Sequence, residues 1–277
     1  MKQRAFDKRM KEYEFVSRNY LLKKTPVIIR VDGKAFHTFT RGFKRPFDDI
    51  LSKSMQQTML YLCKNIQGCV LGYTQSDEIS LVLIDYQDID TSAWFDYNIQ
   101  KCSSISASMT TAAFNHYFKI NVQDAIYSCC YDPDNNNYGD EVIPDKQDEY
   151  DRYIELYNNK DMACFDGRCF NIPKEEVCNN IYWRQQDAVR NSIQMVGRAY
   201  FSHKQLLNKS CNEIQDMLMT EKGINWNDIL TKYKRGSCCI RKQNEEGQRA
   251  KWVIDDNIPI FKGDGRQYIE RLIYLDE

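Results

Sequence analysis

The segment Gly72–Ile84, GYTQSDEISLVLI, is the strongest constraint on the fold of this chain. An apolar run leads into it and a second apolar run leads out of it, which is typical of a β-hairpin. Hairpin turns usually contain Asn, Gly or Pro, because those residues fit the required backbone dihedral angles. This turn instead carries Ser76 followed by two adjacent carboxylates, Asp77 and Glu78. Two negative charges at the tip of a buried hairpin suggest that they act together with another residue elsewhere in the sheet.

The elements around this hairpin follow the order β-α-ββ-α-β. Apolar periodicity and turn residues predict strands over 26–31, 69–85 (as the hairpin) and 165–172, and helices over 46–67 and 95–118. This order belongs to the split βαβ, or ferredoxin-like, arrangement, which is an α+β fold. The end of its first strand lies beside the hairpin, so Asp32 and Asp77 are expected to face each other at one edge of the sheet.

The remaining chain adds elements before and after this core. Helices are predicted over 1–20, 174–201 and 206–219, strands over 237–241 and 251–254, and polar links over 132–148 and 242–249. The link over 132–148 is interpreted as a mobile loop, since it is rich in Asp, Asn and Pro.

The composition of the 277 residues, with 42% hydrophobic and 28% charged, is that of an ordinary globular protein. No run approaches the ~18 apolar residues of a membrane span, and the charged start MKQRAFDKRMKEYEF lacks the apolar region of a secretory signal. Eleven cysteines without an export signal or a Cys-x-x-Cys motif indicate reduced thiols in a cytoplasmic protein, without a membrane partner or structural zinc. The net charge of −1 argues against a uniformly basic nucleic-acid coat but leaves room for a local basic groove.

Two carboxylates at one sheet edge repel each other unless a cation lies between them. Their hard oxygen atoms suit Mg²⁺, and two such ions stabilise the attacking and leaving oxygens of a phosphoryl transfer. Gly33 lets a triphosphate approach the backbone. The basic side chains around it suit phosphate: Arg30, Lys34, His37, Arg41, Lys44 and Arg45. The same residues also fit a plain turn after the first strand and a solvated hairpin tip, and spacing alone leaves these alternatives open.

Five motifs in this chain resemble those of the tRNA(His) guanylyltransferase superfamily, whose members add nucleotides in the 3′→5′ direction. They are RVDGKAFHTF (30–39), GYTQSDEISLVL (72–83), FDGR (165–168), WRQQD (183–187) and YKRG (233–236). The resemblance covers roughly residues 26–240, and five ordered motifs are far more specific than any one of them. It implies one catalytic unit over 1–277, with a core similar to a polymerase palm at about 26–172 and a helical, β-containing C-terminal extension at about 173–277.

The resemblance also implies a reaction, its cofactors and its partners. Enzymes of this superfamily work as tetramers and use two Mg²⁺ ions. With ATP they adenylylate the 5′-monophosphate of a tRNA, and the 3′-hydroxyl of an incoming nucleoside triphosphate, such as GTP, then displaces AMP. A tRNA with a 5′-triphosphate can skip the activation step.

The same resemblance assigns roles to individual residues by position. Asp32 and Asp77 would hold the metal ions together with the carbonyl of Gly33, and Glu78 would assist as the adjoining catalytic carboxylate. The implied nucleotide-binding residues are Arg30, Gly33, Lys34, Ala35, Phe36, His37, Arg45, Asp48, Ser76, Asp77 and Lys101. The implied tRNA contacts are Arg168, Arg184, Arg190, Asn191, Lys234 and Arg235.

One stretch departs from the superfamily pattern. The guanylyltransferases proper carry His-Ile-Asn-Asn-Leu-Tyr-Asn soon after the WRQ-x-D motif. Residues 189–195 instead read VRNSIQM, with only Asn191 retained and Val189 at the His position. This favours the guanylyltransferase-like members, which repair 5′-truncated tRNAs by template-dependent 3′→5′ addition. Addition of the extra 5′ guanosine to tRNA(His), a palm-type nucleotide cyclase and a tRNA-binding protein without chemistry remain as alternatives.

Overall fold

The computed structural model describes residues 2–132, 137–138, 142–242 and 250–275 of the chain. Its strands are β1 (Val27–Gly33), β2 (Cys69–Gln75), β3 (Glu78–Leu83), β4 (Tyr131–Asp132), β5 (Asn137–Tyr138), β6 (Phe165–Asn171), β7 (Ser237–Lys242) and β8 (Lys251–Asp255). Six of them form one antiparallel sheet in the order β6-β1-β3-β2-β7-β8, and β4 pairs with β5 in a separate ladder.

The helices lie before, between and after these strands. They are α1 (Lys2–Val16), α2 (Phe36–Phe39), α3 (Asp49–Asn65), α4 (Ile99–Cys129), α5 (Gln147–Asn159), α6 (Lys174–Tyr200), α7 (His203–Leu206), α8 (Cys211–Lys222), α9 (Thr231–Arg235) and α10 (Gln267–Ile273). Among the described helices, none has the length and apolar character needed to cross a membrane.

The four central strands confirm the predicted α+β, ferredoxin-like arrangement. They lie in the order β6-β1-β3-β2, with α3 between β1 and β2 in the chain and α4 between β3 and β6. The C-terminal hairpin β7–β8 extends this sheet beyond β2. The register places Asp32 of β1 opposite Glu78 of β3. The end of β1 and the hairpin turn therefore lie at the same edge of the sheet, as the element order predicts.

Helices cover both faces of the sheet. α3 and α4 pack on one face, in an apolar cluster that includes Met59 and Phe114. α6 and α10 pack on the other face, in a second cluster that includes Ile28, Tyr73 and Phe261. Because side chains alternate between the two faces along a strand, residues at even positions of β1 share the α6 side with Ile28.

The two core helices begin at side-chain caps and pack closely. Asp48 caps α3 by accepting a hydrogen bond from the backbone N–H of Leu51 at 3.0 Å, and Asn98 caps α4 in the same way. A Cβ atom added to Gly167 of β6 would lie 2.6 Å from the carbonyl oxygen of Ser103 on α4. The absence of a side chain at this glycine therefore lets helix and strand approach closely.

Some elements differ from their predicted bounds. α4 continues to Cys129 instead of ending at 118, because its later turns still bury residues such as Val122. α5 is not among the predicted helices, and of its 13 residues only Leu156 is fully buried. α5 begins at Gln147, inside the loop predicted over 132–148. The parts of the predicted links at 133–136, 139–141 and 243–249 lie outside the described residues.

Candidate active site

The candidate active site lies at the sheet edge where β1 ends and the β2–β3 hairpin turns. The backbone N–H of Gly33 donates to the carbonyl oxygen of Asp77 at 3.1 Å, which ties the end of β1 to the turn. The negative charge of Asp32 contributes to a raised pKa of Asp77. The structure thus brings together the two carboxylates that the element order places at one edge.

The hairpin turn holds Asp77 in a constrained environment. Ser76 has a φ angle of 49°, in the left-handed region that residues other than glycine seldom adopt, and its Oγ donates to Asp77 Oδ1 at 2.8 Å. Burial raises the pKa of Asp77, the hydroxyl of Ser76 lowers it, and the charge of Asp32 raises it, with a net upward shift. Burial and a second carboxylate both disfavour the ionised form, so a cation at this edge would stabilise the pair.

The donor atoms at this edge fit Mg²⁺, the metal that the resemblance implies. The carboxylates of Asp32 and Asp77 and the carbonyl of Gly33 are hard oxygen donors. Within the described ranges, no group of three or more His, Cys, Asp or Glu side chains is arranged to hold a metal ion. A site with two carboxylates still suits Mg²⁺, because this ion usually keeps water and substrate-phosphate ligands.

The segment after β1 packs closely against the end of that strand. A Cβ atom on Gly33 would lie 2.1 Å from the ring of Phe36, so the ring occupies the space that a side chain would need. Phe36 is buried and packs against Phe114. Ala35 has a φ angle of 54°, which turns the chain between the strand and α2. The ring of Phe36 therefore belongs to the core.

A cleft of about 610 Å³ opens beside the carboxylates, a volume typical of small-molecule sites. Asp32, Gly33, Ser76 and Asp77 line one part of it. The basic side chains that line it are exposed: His37, Arg41, Lys44, Arg45 and Arg198. The acidic groups can bind a cation that also binds phosphate, and the basic groups can bind phosphate directly. Together they suit a nucleoside triphosphate.

One face of α6 also lines this cleft. Asn191, Gln194, Met195 and Arg198 follow one another at spacings that place them on the same side of a helix. Asn191 is a predicted site residue, whereas the other three were missed. The sequence could have identified Arg198, because this residue lies two helical turns after Asn191 in a segment that is predicted to be helical.

Asp48 connects the cleft to the start of α3. Besides capping the helix, it accepts a hydrogen bond from the backbone N–H of Lys44 at 3.0 Å. A smaller cavity of about 80 Å³ adjoins the cleft here, and Asp48 lines both. The rings of Phe47 and Tyr233 stack beside it with centroids 4.6 Å apart. Tyr233 of the YKRG motif therefore lines the smaller cavity, next to the cleft.

Glu78 is held by a buried ion pair with Arg184 of α6. Arg184 Nε donates to Glu78 Oε1 at 2.8 Å, and a terminal nitrogen of the same guanidinium donates to Asp187 Oδ2 at 2.8 Å. Glu78 and Arg184 are only 5% and 7% exposed. Burial raises the pKa of Glu78, while the charge and hydrogen bond of Arg184 lower it, and the net shift is upward. The Arg184 side chain is thus paired inside the protein, and its assignment as a tRNA contact stays a prediction.

Four other predicted contacts line neither the 610 Å³ cleft nor the second cleft described below: Arg30, Lys34, Lys101 and Arg168. Arg168 pairs at 2.9 Å with Asp166, which is the register partner of Asp32 on β6. The Nζ atom of Lys101 lies 5.7 Å from the centre of the Phe95 ring, at the start of α4. The assignment of these four residues to nucleotide or tRNA stays a prediction.

A second cleft, of about 560 Å³, lies along another side of α6. The predicted tRNA contacts Arg190, Lys234 and Arg235 line it together with Trp183 and Trp226. Lys234 is mostly buried, its Nζ lies 5.4 Å from the centre of the Trp226 ring, and burial lowers its pKa. Trp183 is 50% exposed. This second cleft therefore combines basic and aromatic side chains on an accessible surface.

The family model described as "Thg1: tRNAHis guanylyltransferase" matches residues 7–173, a range that contains both carboxylates and the β1, β2, β3 and β6 core. The chain belongs to this family. It is therefore an enzyme of the nucleotidyltransferase class, of the tRNA guanylyltransferase type.

Solved structures and a viral relative are similar over most of the chain. A "Bacterial tRNA(HIS) Guanylyltransferase (Thg1)-Like Protein in complex with ATP" is 40% identical, covers 98% of this chain and 100% of its own, and superposes with a TM-score of 0.79. A structure of the same description in complex with GTP is 35% identical with the same coverage and a TM-score of 0.72. The "Uncharacterized protein R259" of Acanthamoeba polyphaga mimivirus is 28% identical over 84% of this chain and 76% of its own length.

Proposed function

We propose that this protein is one catalytic unit that repairs the 5′ ends of truncated tRNAs by template-dependent 3′→5′ nucleotide addition. The observation that carries the proposal is the meeting of Asp32 and Asp77 at the edge of a cleft with basic side chains around it. Family membership supports tRNA and nucleoside triphosphates as substrates. The bacterial Thg1-like proteins solved with ATP and with GTP support both nucleotides as ligands of this cleft.

Each part of the cleft has a role in this proposal. Asp32, Asp77 and the Gly33 carbonyl would hold two Mg²⁺ ions, which would supply charge stabilisation for the attacking and leaving oxygens. Arg41, Lys44, Arg45 and Arg198 bind the triphosphate chain. Ser76 and His37 contact the nucleotide beside the carboxylates. The protein thus positions reactants in line and screens their charge, which is the main requirement of phosphoryl and nucleotidyl transfer.

The second cleft is proposed to bind the RNA. Accessible aromatic rings stack on unpaired bases, and basic side chains bind the phosphates between them, so the exposed Trp183 and the partly buried Trp226, with Arg190 and Arg235, suit an RNA strand. Arg190 also pairs with Asp187 at 2.7 Å, and Asp187 in turn pairs with the Arg184 that holds Glu78. RNA bound in the second cleft would therefore lie next to a polar network that ends at the catalytic edge.

The resemblance to tetrameric enzymes supports a homotetramer as the working assembly. α1 fits a role in subunit contacts, because most of its apolar side chains are exposed, including Phe6, Tyr13, Phe15 and Val16. Exposed apolar residues gathered on one element are typical of interaction surfaces.

The choice of tRNA repair over guanosine addition rests on residues 189–195. Val189 stands where the guanylyltransferases proper carry His, and its side chain lines the second cleft without a hydrogen-bonding group. An unmatched guanosine needs protein contacts to hold it, whereas a matched base pair is held by stacking and hydrogen bonds within the RNA. We therefore expect templated addition to be ten- to a hundredfold more efficient, a difference that needs about 1.4–2.8 kcal/mol of transition-state binding.

The measurement is kcat/KM for a tRNA that lacks its first nucleotide, with C, U, G or A in turn as the opposing base. The comparison substrate is full-length tRNA(His) with A opposite the added guanosine. If guanosine addition to the full-length substrate is as efficient as repair, the protein acts as a guanylyltransferase proper.

A truncated tRNA with a 5′-triphosphate is expected to accept its templated nucleotide without ATP. The reason is that ATP serves only to attach a leaving group to the 5′-phosphate, and pyrophosphate already provides one. The assay compares 5′-monophosphate and 5′-triphosphate forms of one labelled tRNA, each with and without ATP. The monophosphate form without ATP is the negative control, and a strict need for ATP on the triphosphate form would contradict the two-step scheme.

A further inference from the structure

Three of the basic side chains that line the 610 Å³ cleft lie on a loop. Residues 40–46, the basic loop, connect α2 to the start of α3 and belong to neither a helix nor a strand. Arg41, Lys44 and Arg45 of this loop are exposed and line the cleft. A loop lacks the repeated backbone hydrogen bonds of a helix or sheet, so other contacts must hold these three cations in place.

Lys160 contacts the basic loop from the link between α5 and β6. Its Nζ atom donates a hydrogen bond to the carbonyl oxygen of Arg41 at 2.5 Å. The same atom lies 5.3 Å from the centre of the Phe43 ring and 5.8 Å from the centre of the Phe39 ring, within the range of cation–π interactions. Burial lowers the pKa of this ammonium group, and the carbonyl oxygen and the two rings replace part of the water that it loses.

The two rings under Lys160 attach the basic loop to the core. Phe43 is buried and stacks on Phe118 of α4 with ring centroids 5.7 Å apart, and Phe39 contacts the same ring at 5.3 Å. Between Arg41 and Phe43, Gly42 has a φ angle of 85°, in the left-handed region that favours glycine. Lys160 therefore contacts the loop on both sides of this turn.

The backbone after Lys160 is itself fixed to α4 and to the end of β1. The side chain of Asn115 on α4 accepts a hydrogen bond from the N–H of Ala163 at 2.9 Å and donates one to its carbonyl oxygen at 2.8 Å. The backbone N–H of Lys34, directly after β1, donates to the carbonyl oxygen of Cys164 at 2.8 Å. The core and the catalytic edge thus set the position from which Lys160 reaches the basic loop.

We propose that Lys160 is a positioning residue that holds the basic loop in the conformation that binds the triphosphate of the nucleotide. Its side chain does not line the 610 Å³ cleft, so it acts through the loop and not by touching substrate. The inference rests on the proposed function, in which Arg41, Lys44 and Arg45 bind the triphosphate. Without Lys160 the loop adopts further conformations, and the apparent affinity for nucleotide falls with the fraction of molecules that keep the binding conformation.

The first test measures the loop itself and does not depend on activity. Lys160→Met keeps a side chain of similar length and removes the ammonium group. Under native conditions, trypsin is expected to cut after Arg41 about tenfold faster in this variant than in wild type, because cleavage follows the population of the opened loop. Lys119→Met is the matched control, since the Nζ of Lys119 lies 5.2 Å from the centre of the Tyr157 ring on α5. Equal cleavage of wild type and Lys160→Met would overturn the proposal.

The second test measures binding of inorganic tripolyphosphate with Mg²⁺ by calorimetry. The Kd is expected to rise about tenfold in Lys160→Met and to stay unchanged in Lys119→Met. Lys160→Arg should recover most of the affinity, because a guanidinium keeps the hydrogen-bond donors and the cation–π contacts. Equal binding by wild type and Lys160→Met would overturn the role of Lys160. Wild-type protein that fails to bind tripolyphosphate would instead contradict the proposed function, so the two failures can be distinguished.

The third test separates positioning from a general structural role. In the adenylylation of a 5′-monophosphorylated tRNA, KM for ATP should rise about tenfold in Lys160→Met while kcat stays within about twofold of wild type. The reason is that saturating nucleotide draws the basic loop back into its binding conformation, and the carboxylates Asp32 and Asp77 are unchanged. A lower kcat with an unchanged KM, or a loss of activity that follows a fall in Tm, would overturn the positioning role.

Discussion

Replacing Asp32 by alanine is expected to lower kcat for nucleotide addition by about 10³-fold, and Asp77→Ala is expected to have a similar effect. Both carboxylates lie at the edge where Gly33 is tied to the hairpin turn. Loss of either one removes a ligand of the proposed Mg²⁺ ions and the charge stabilisation that they supply. The measurement is single-turnover addition to a truncated, 5′-triphosphorylated tRNA at saturating Mg²⁺, which isolates the transfer step.

The folded state should survive these changes. Burial and the neighbouring Asp32 raise the pKa of Asp77, so the folded chain holds this proton more tightly than the unfolded chain does. Ionised Asp77 therefore costs stability above its folded-state pKa, and this cost disappears in Asp77→Asn. Near neutral pH without divalent ions, the Tm of Asp77→Asn should be equal to or higher than that of wild type.

A surface carboxylate provides the matched control for both experiments. Asp216 is exposed on α8, and Asp216→Ala should change neither kcat nor Tm appreciably. A variant of Asp32 or Asp77 with a nearly normal rate at saturating Mg²⁺ would refute the metal assignment. Loss of activity with a large fall in Tm would mean instead that the carboxylates are needed for folding.

The sheet and its carboxylate edge could be predicted because their signals are local. The apolar runs of β1, β2 and β3 are short and bounded by turn residues, and their order along the chain restricts the possible sheet topologies. Asp32 and Asp77 then follow from position alone, since each lies at the end of an apolar run. α5 did carry a signal that was missed, because four of its residues follow helical spacing: Tyr150, Tyr153, Ile154 and Tyr157. That signal is weak in apolar content, since it consists mainly of tyrosines and only Leu156 is fully buried.

The partner of Glu78 could not be predicted in the same way. Arg184 lies 106 residues after Glu78, and their contact depends on where α6 crosses the sheet. A charged residue in an amphipathic helix is usually solvated, so the helical pattern gives no sign that Arg184 is buried. The family resemblance alone implies an RNA contact for it. Likewise, the side-by-side placement of Trp183 and Trp226 in the second cleft depends on the packing of α6 against a distant segment.

The replacement of Arg184 by methionine is expected to have the largest effect on stability. It leaves the carboxylate of Glu78 buried without its cation, and breaking a buried pair in this way costs about 3–5 kcal/mol. For a chain of this size the Tm should fall by roughly 10 °C. Arg190→Met is the matched control on the same helix. Arg190 also pairs with Asp187 but its side chain is 60% exposed, so its loss should cost no more than about 1 kcal/mol.

A double variant separates the two interpretations of Arg184. If the arginine holds Glu78, then Arg184→Met combined with Glu78→Leu removes both charges together and should recover most of the lost Tm, because an apolar pair of similar volume can replace a buried ion pair. If Arg184 instead binds RNA directly, Arg184→Met should raise KM for tRNA while leaving Tm unchanged, and the second substitution should restore nothing. Thermal unfolding of wild type, both single variants and the double variant gives the coupling energy of the pair. A coupling energy near zero would contradict the assignment of Arg184 as the residue that positions Glu78.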